Sequence, residues 1–473
     1  MRILASLASW CLVLRSLALA ATVAGCARAG RPPPGGAPPA GGFEPAGPIR
    51  HVVVVTVDGL MPDSYLHPDA HGLRVPTLRR MVREGASSDG ALSVFPSVTY
   101  PAHTSIATGV LPARHGIFTN RAFDPLDTNQ EGWRWYAEDI RATTIWQLAE
   151  GAHYRAALVH WPVTVGAKVT FLVPEYWRAK NDEDRKLLRS LSTPGLLEGV
   201  AAETPGFWSA FTPGEMKDPP VVDVAVYLLR SRSPPHLTLL HIADVDGVQH
   251  RHGVWSAPAI AAIEDADRQL ARLLEAIALA GIGGDTILVV ASDHGFANIA
   301  RLVRPGVLLR QGGLVTLEGA EHVVSWRAAT NSAGGGAYVY LAHPGDAALA
   351  ETVRGLLRGQ MARPGGGGIA RLLEAEEIRA IGGDPNAFLA LEAAAGYAFG
   401  PGYTGDVEVA AQYAANHGYD PARPEMRASL LVLGPGVRAG PLRGARLIDI
   451  APTIAAWLGL AMPPVDGRPL FPP

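Results

Sequence analysis

Three short apolar runs in this chain each end in an acid. His51–Val57 leads into Asp58-Gly59, Leu237–Ile242 into Asp244-Val245-Asp246, and Thr286–Ala291 into Ser292-Asp293-His294-Gly295. A single Asp after a strand is commonly a turn or a helix cap. Three of them, two followed closely by imidazoles at His250 and His294, would gather carboxylates and rings along one sheet edge, where open α/β sheets bind ligands. Acids crowded into one cleft need a cation, or protons, to offset their repulsion. Carboxylate and imidazole donors without Cys suit Zn²⁺, or Mn²⁺ and similar ions. A nucleophilic hydroxyl is offered by Phe95-Pro96-Ser97-Val98-Thr99-Tyr100-Pro101-Ala102-His103, just ahead of a helical pattern through Ser105 to Gly109. Unpaired N–H groups at a helix N-terminus favour an approaching phosphate. By position alone Thr99 also reads as a helix cap, and Ser97 and Ser105 are equal rivals.

The elements that must carry these residues read as α/β. The run His51–Val57 is continuously apolar, the mark of a strand covered on both faces. Similar runs occupy Ala156–Val159, Leu237–Ile242, Thr286–Ala291 and Ser429–Leu433. Helical stretches lie between them: Val75–Glu84 with Pro76 in its first turn, Ile263–Ala280 stopping at Gly281, and Ile450–Leu458. This alternation predicts a mostly parallel sheet sandwiched by helices. Residues 298–412 differ. Their Gly-rich breaks, a strand-like Ala337–Leu341 and a helix-like Ala347–Leu357 predict an inserted smaller α+β subdomain over or beside the site.

The chain has 473 residues, 48% hydrophobic and 18% charged, with a net charge of -3. That suits one large globular domain and offers no basic coat for nucleic acid or anionic lipid. Residues 1–25 read as a signal peptide: Arg2, an apolar stretch, then Val23-Ala24-Gly25 before Cys26, a pattern similar to a bacterial lipoprotein cleavage site. An ordinary secretory signal is the alternative. The only other cysteine, Cys11, lies within the removed peptide, so no internal disulfide is expected. Ala27–Pro48 reads as a Pro/Gly/Ala tether that would hold a catalytic domain (residues 49–473) off a membrane, anchored through a lipid on Cys26.

The ordered motifs resemble the nucleotide pyrophosphatase/phosphodiesterase family of the alkaline phosphatase superfamily. The match runs through Val57-Asp58-Gly59, Thr99 to Gly109, His115-Gly116-Ile117 with Asn120, Asp246 to His250, Ser292 to Gly295 and Asn416-His417-Gly418-Tyr419-Asp420. It closes with Leu447-Ile448-Asp449-Ile450-Ala451-Pro452-Thr453 and Asp466-Gly467-Arg468. The resemblance implies an alkaline-phosphatase-like fold and two zinc ions per chain. Asp58, Thr99, Asp293 and His294 would hold one, and Asp246, His250 and His417 the other. It further implies Thr99 as nucleophile, forming a phospho-threonine, and Asn120 with a nearby backbone N–H as the grip on a phosphate oxygen. The family usually has Gly where this chain has Gln249, and Asp244 and His252 compete as ligands. His103 is open to a supporting or a purely structural role. The other histidines, His51, His160 and His241, are expected in core or surface positions. Trp161-Pro162, Tyr176, Trp177 and Tyr419 are candidate pocket walls on which a base could stack, although aromatics near a sheet edge are more often packing.

The expected substrate is a small phosphodiester or pyrophosphate of nucleotide type. No Lys-x-Arg pair occurs at His160-Trp161-Pro162-Val163, where monoesterases of the superfamily carry one to grip extra phosphate charge. Phosphonate or phosphate monoester hydrolysis on the same residues stays open. The reading from another class is a non-catalytic metal-binding lipoprotein.

Overall fold

A computed structural model describes residues 47–471 apart from 131, 177–181 and 213–214. The expected signal peptide, Cys26, most of the tether, and Trp177 lie outside the described residues.

The centre is an eight-stranded sheet. Its order is Gly440–Pro441, Ala86–Ser87, Leu430–Leu433, Thr286–Ala291, His51–Val57, Leu237–Ile242, Ala156–Val159, Phe171–Val173. The last five run parallel, while Leu430–Leu433 is antiparallel to its neighbours. Side chains alternate between two cores. Val53, Val55 and Val57 face the helices Pro76–Glu84, Asp218–Leu229 and Ala257–Leu279. Val52 and Val54 face Thr99–Thr108 and Ile450–Leu458. Both faces are therefore dry, which is why the strands lack polar alternation. Register then sets the site. Val57 pairs with Ile242 and Thr56 with Ala291, so the next residues of all three strands emerge together at one edge.

The closing motifs are structural. The Asp449 carboxylate accepts from the backbone N–H groups of Arg446 and Arg468, and Asp466 accepts from that of Leu111, tying the chain end to the helix Thr99–Thr108 and the turn after it. His115 accepts from Ile117 N–H and bonds Ser105, bracing the same helix.

Between Ala297 and Ala410 the chain builds smaller sheets. Ala297–Val303 pairs with Gly396–Phe399 and Glu408–Ala410, and an antiparallel sheet runs Ala328–Ala333, Gly336–Leu341, Leu389–Ala393, Ile369–Glu374. They share a core with the helix Ala347–Met361. Ala415–Asn416 returns to pair with Ala297 and Asn298, which brings the next residue, His417, beside the acid-tipped edge. Among the described residues no helix is long and apolar enough to cross a membrane.

Candidate active site

Asp58 leaves its strand through Gly59. That glycine has φ +68°, and a Cβ there would meet the Phe296 ring at 2.8 Å, so the turn demands glycine. Gly59 N–H donates to Asp293 Oδ1 (3.2 Å), and its carbonyl accepts from Gln249 Nε2 (3.0 Å). Gln249, the departure from the family pattern, thus pins the Asp58 turn to the helix Asp244–His252. That helix carries Asp246 and His250 one turn apart on one face.

The imidazoles converge through Nε2. His250 Nε2 lies 3.4 Å and His417 Nε2 3.6 Å from Asp246 Oδ1. His294 Nε2 lies 3.1 Å from Asp293 Oδ2 and 3.3 Å from Asp58 Oδ1, and its ring stacks on that of His417 at 3.6 Å. The opposite nitrogens are spent on backbone carbonyls: His250 Nδ1 on Ala415 (2.9 Å), His294 Nδ1 on Gly295 (3.1 Å) and His417 Nδ1 on Ser97 (3.0 Å). Such bonds fix ring orientation and leave Nε2 to face a cation. Asp58 Oδ1, Asp246 Oδ1, Asp293 Oδ2 and His294 Nε2 are buried with no hydrogen-bond partner. Two groups, Asp58/Asp293/His294 and Asp246/His294/His417, have ligand atoms within 4.8 Å of one another. Orphaned buried acceptors of this chemistry fit divalent cations. His294 stands in both groups, and His250 joins through Asp246.

The electrostatics agree. Burial, then Asp293 and Asp246, pushes the Asp58 carboxyl well up. Burial acts the same way on Asp293, yet His294 above all holds it well below the carboxylate range. Burial is likewise overcome at Asp246 by His250, His417 and His294, leaving it at about 2. His294 rises to about 9 against its burial because Asp293, Asp58 and Asp246 surround it. His294 thus holds a proton where a bound cation would displace it, while burial and then the neighbouring His294 push His417 well down.

Thr99 is the first residue of the helix Thr99–Thr108; the cap position belongs to Val98. Its hydroxyl makes no hydrogen bond among the described residues, whereas Ser97 Oγ donates to the Tyr419 carbonyl (2.7 Å) and Ser105 Oγ bonds His115 (2.9 Å). The rival hydroxyls are thereby occupied. His103 supports the helix from below. Its Nδ1 donates to the Thr99 carbonyl (2.8 Å), and Nε2 meets Thr56 Oγ1 (2.8 Å). Burial, and then His241 nearby, lowers its pKa to about 3, so the ring is neutral and Nε2 accepts. Asn120 Oδ1 accepts from Tyr100 N–H (2.9 Å), which turns its amide NH₂ outward and leaves the Thr99 N–H, at the first helical position, without an intrahelical acceptor.

Asp58, Thr99, Asn120, Asp246, His250 and His417 line one cavity of about 420 Å³, with Tyr100, Trp133, Glu175, Lys217, Asp244 and Arg251 completing much of its wall. Asp244 stands apart from the ligand atoms. It pairs with Lys217 (3.4 Å) and accepts from Asp218 N–H (3.3 Å), a cap on the neighbouring helix. His252 is exposed at its helix end.

The described candidate aromatics serve packing, the commoner role near a sheet edge. Trp161 is buried against His103, Tyr419 is buried with its hydroxyl on the Tyr397 carbonyl, and Tyr176 packs on Trp135, lining a second cavity that shares Trp133. Trp133 and Tyr100 line the cavity instead, their rings 5.3 Å apart. His241 is core by burial, as expected, but it also touches Asp58 (3.1 Å). Glu175 follows the edge strand Phe171–Val173, so the strand-end logic extends to it. The Trp133 loop carries no periodic signal.

A sheet edge bearing three acid-tipped parallel strands and clustered imidazoles defines an alkaline-phosphatase-like α/β protein. The family model described as type I phosphodiesterase / nucleotide pyrophosphatase matches residues 52–366, and the chain belongs to that family. It is 23% identical over 252 residues to mouse ectonucleotide pyrophosphatase/phosphodiesterase family member 1, covering 51% of this chain and 24% of the relative. It is 28% identical over 226 residues to ectonucleotide pyrophosphatase/phosphodiesterase 1 of Saccharomyces cerevisiae, covering 43% and 28%. The matched region thus spans less than a third of either relative's length. The structure of human ectonucleotide pyrophosphatase / phosphodiesterase 5 superposes with TM-score 0.63 at 20% identity, covering 88% of this chain and 97% of that one. An inactive murine form of the same protein, in complex with AMP, gives 0.62 at 21% identity, covering 89% and 97%.

Proposed function

We propose that this chain hydrolyses phosphodiester or pyrophosphate bonds in nucleotide-type substrates, with Thr99 as nucleophile and two zinc ions per chain. The observation that carries the reading is the set of buried, unpartnered atoms of Asp58, Asp246, Asp293 and His294 beside an unpartnered hydroxyl at a helix N-terminus. Asp58, Thr99, Asp293 and His294 would hold one zinc, and Asp246, His250 and His417 the other. Bound there, zinc lowers the pKa of a hydroxyl or water and offsets charge on phosphoryl oxygens.

Thr99 Oγ, its proton given up to solvent, attacks phosphorus, and the bond from phosphorus to the leaving oxygen breaks, the leaving group departing as an oxyanion that takes a proton from water and leaving phospho-Thr99. The Asn120 amide and the Thr99 N–H donate to the charged equatorial oxygen. Water then cleaves phospho-Thr99 and restores the hydroxyl. Trp133 presents a ring to the cavity on which a base can stack, in keeping with AMP bound to the murine relative. Lys217, paired with Asp244, and Arg251 also line the cavity. They favour a phosphorylated leaving group, hence pyrophosphate-linked substrates, although no Lys-x-Arg pair stands at residues 160–163. Export and a lipid on Cys26 belong to the same reading.

Thr99→Ala tests it. The variant should still bind zinc, through the remaining ligands, and lose turnover of a nucleotide p-nitrophenyl ester by orders of magnitude. Near-parental turnover would remove Thr99 as nucleophile. Zinc binding by the parent without turnover of nucleotide, phosphonate or monoester substrates would leave the non-catalytic binding reading.

A further inference from the structure

His241 has no part in the chemistry above, yet it is built into the site. It sits in the strand Leu237–Ile242 opposite Thr56, fully buried. Its Nε2 lies 3.1 Å from Asp58 Oδ2. Its Nδ1 lies 3.7 Å from Glu175 Oε2, and Glu175 forms part of the cavity wall. The two Asp58 oxygens therefore face different partners. Oδ2 is taken by His241, while Oδ1 is 3.3 Å from His294 Nε2 with no hydrogen bond of its own.

The ring is held on its other sides as well. His103 lies 4.4 Å away, itself bonded to the Thr99 carbonyl and to Thr56, and His160 stacks at 5.8 Å. His241 cannot swing without displacing groups that fix the nucleophile helix. A carboxylate left free can turn about its Cβ–Cγ bond and offer either oxygen, or both, to a cation; one whose Oδ2 is occupied can offer only Oδ1.

We propose that His241, backed by Glu175, is a positioning residue that commits Asp58 to its cation through Oδ1 alone. This rests on the reading that Asp58 holds a cation. Groups that orient metal ligands in this way typically carry about a ten- to hundredfold effect on affinity.

The test is a zinc titration of the metal-free chain against a chromogenic chelator, comparing the parent with His241→Leu, His241→Gln and Asp58→Asn. His241→Leu is expected to weaken one of the two binding steps by about ten- to hundredfold and to leave the other unchanged. His241→Gln, which keeps a donor toward Asp58, should recover most of the loss. Turnover of His241→Leu should return as zinc is raised, which a folding defect would not allow. Unchanged affinity at both steps in His241→Leu overturns the proposal. If His241→Leu fails to fold, Glu175→Gln takes its place: a smaller loss at the same step supports the proposal, and an unchanged step overturns it. If Asp58→Asn itself leaves both steps intact, the cation reading of Asp58 fails instead.

Discussion

Asn120 shows how one side chain can be turned by its own backbone neighbour. Its carbonyl oxygen is spent on Tyr100 N–H, so the amide is the end left to face a phosphoryl oxygen. Asn120→Ala should lower kcat by roughly a hundred- to a thousandfold, as removal of one such donor does elsewhere, while zinc content stays at the parental level. Loss of zinc alongside would mean that Asn120 shapes the site rather than the reaction. Asp246 and Asp244, two residues apart, separate in the same manner. Asp246→Asn should reduce bound zinc by elemental analysis and Asp244→Asn should not, because only Asp246 shares its oxygen with His250 and His417. At this scale the acids were legible in the sequence because each follows an apolar strand. His241 was not, since a polar residue within a buried strand reads as core until its partner across the sheet is known. Trp133 was not, because it belongs to an aromatic run with Trp135 and Tyr136 in an irregular loop, and nothing in the sequence says which of them meets the cavity.

At the scale of elements, the helices Asp218–Leu229 and Asp244–His252 cap one another. Asp218 Oδ1 accepts from the N–H groups of Ala243 (2.7 Å) and Asp244 (3.1 Å), and Asp244 Oδ2 accepts from Asp218 N–H. Burial first, then the Asp244 charge, raises the Asp218 pKa to about 7. A raised carboxyl contributes stability that is fully present below its unfolded pKa, near 4, and is lost as pH climbs through about 7. Asp218→Asn keeps an accepting oxygen and has no proton to lose. Its melting temperature relative to the parent should therefore rise between pH 5 and pH 8 in zinc-saturated protein; a flat difference would sink the assignment. Gly59→Ala is the opposite kind of change. With φ at +68° and the Phe296 ring 2.8 Å from the new Cβ, it should cost about 1 to 3 kcal/mol, read as a shifted urea midpoint with an unchanged slope. Element identity was legible from apolar runs, but boundaries drifted where caps were overlooked. The long helix runs Ala257–Leu279 rather than from Ile263, and Ser256 Oγ accepts from Ala259 N–H at its start. The short helix Asp244–His252 is too polar to show a helical stripe, so its role in spacing Asp246 and His250 emerged only from the fold.

At the scale of the molecule, three carboxylates share one site, Asp58 and Asp293 buried and Asp246 half-buried, and chelation should leave their repulsion unrelieved. Zinc at a thousand times its Kd contributes about 4 kcal/mol of stability, so a chelator should lower the melting temperature by several degrees and added zinc should restore it. An unaltered transition would argue against resident metal. Cys26→Ala should move the protein from the membrane pellet to the soluble fraction if the anchor reading holds. The overall layering was legible because a doubly covered sheet leaves continuous apolar strands. The return of residues 415–416 to the strand at Ala297 was not, because two-residue pairings leave no pattern. That return has a consequence for how the protein matures. The proposed ligand set runs from residue 58 to residue 417, and its last member is in place only when Ala415–Asn416 has closed on Ala297–Asn298. A chain still emerging from the ribosome, with its C-terminal part unmade, cannot assemble the His417 side of the site. Binding of a cation on that side would therefore come late in biogenesis, whereas the group Asp58, Asp293 and His294 needs nothing made after residue 294 to supply its donors.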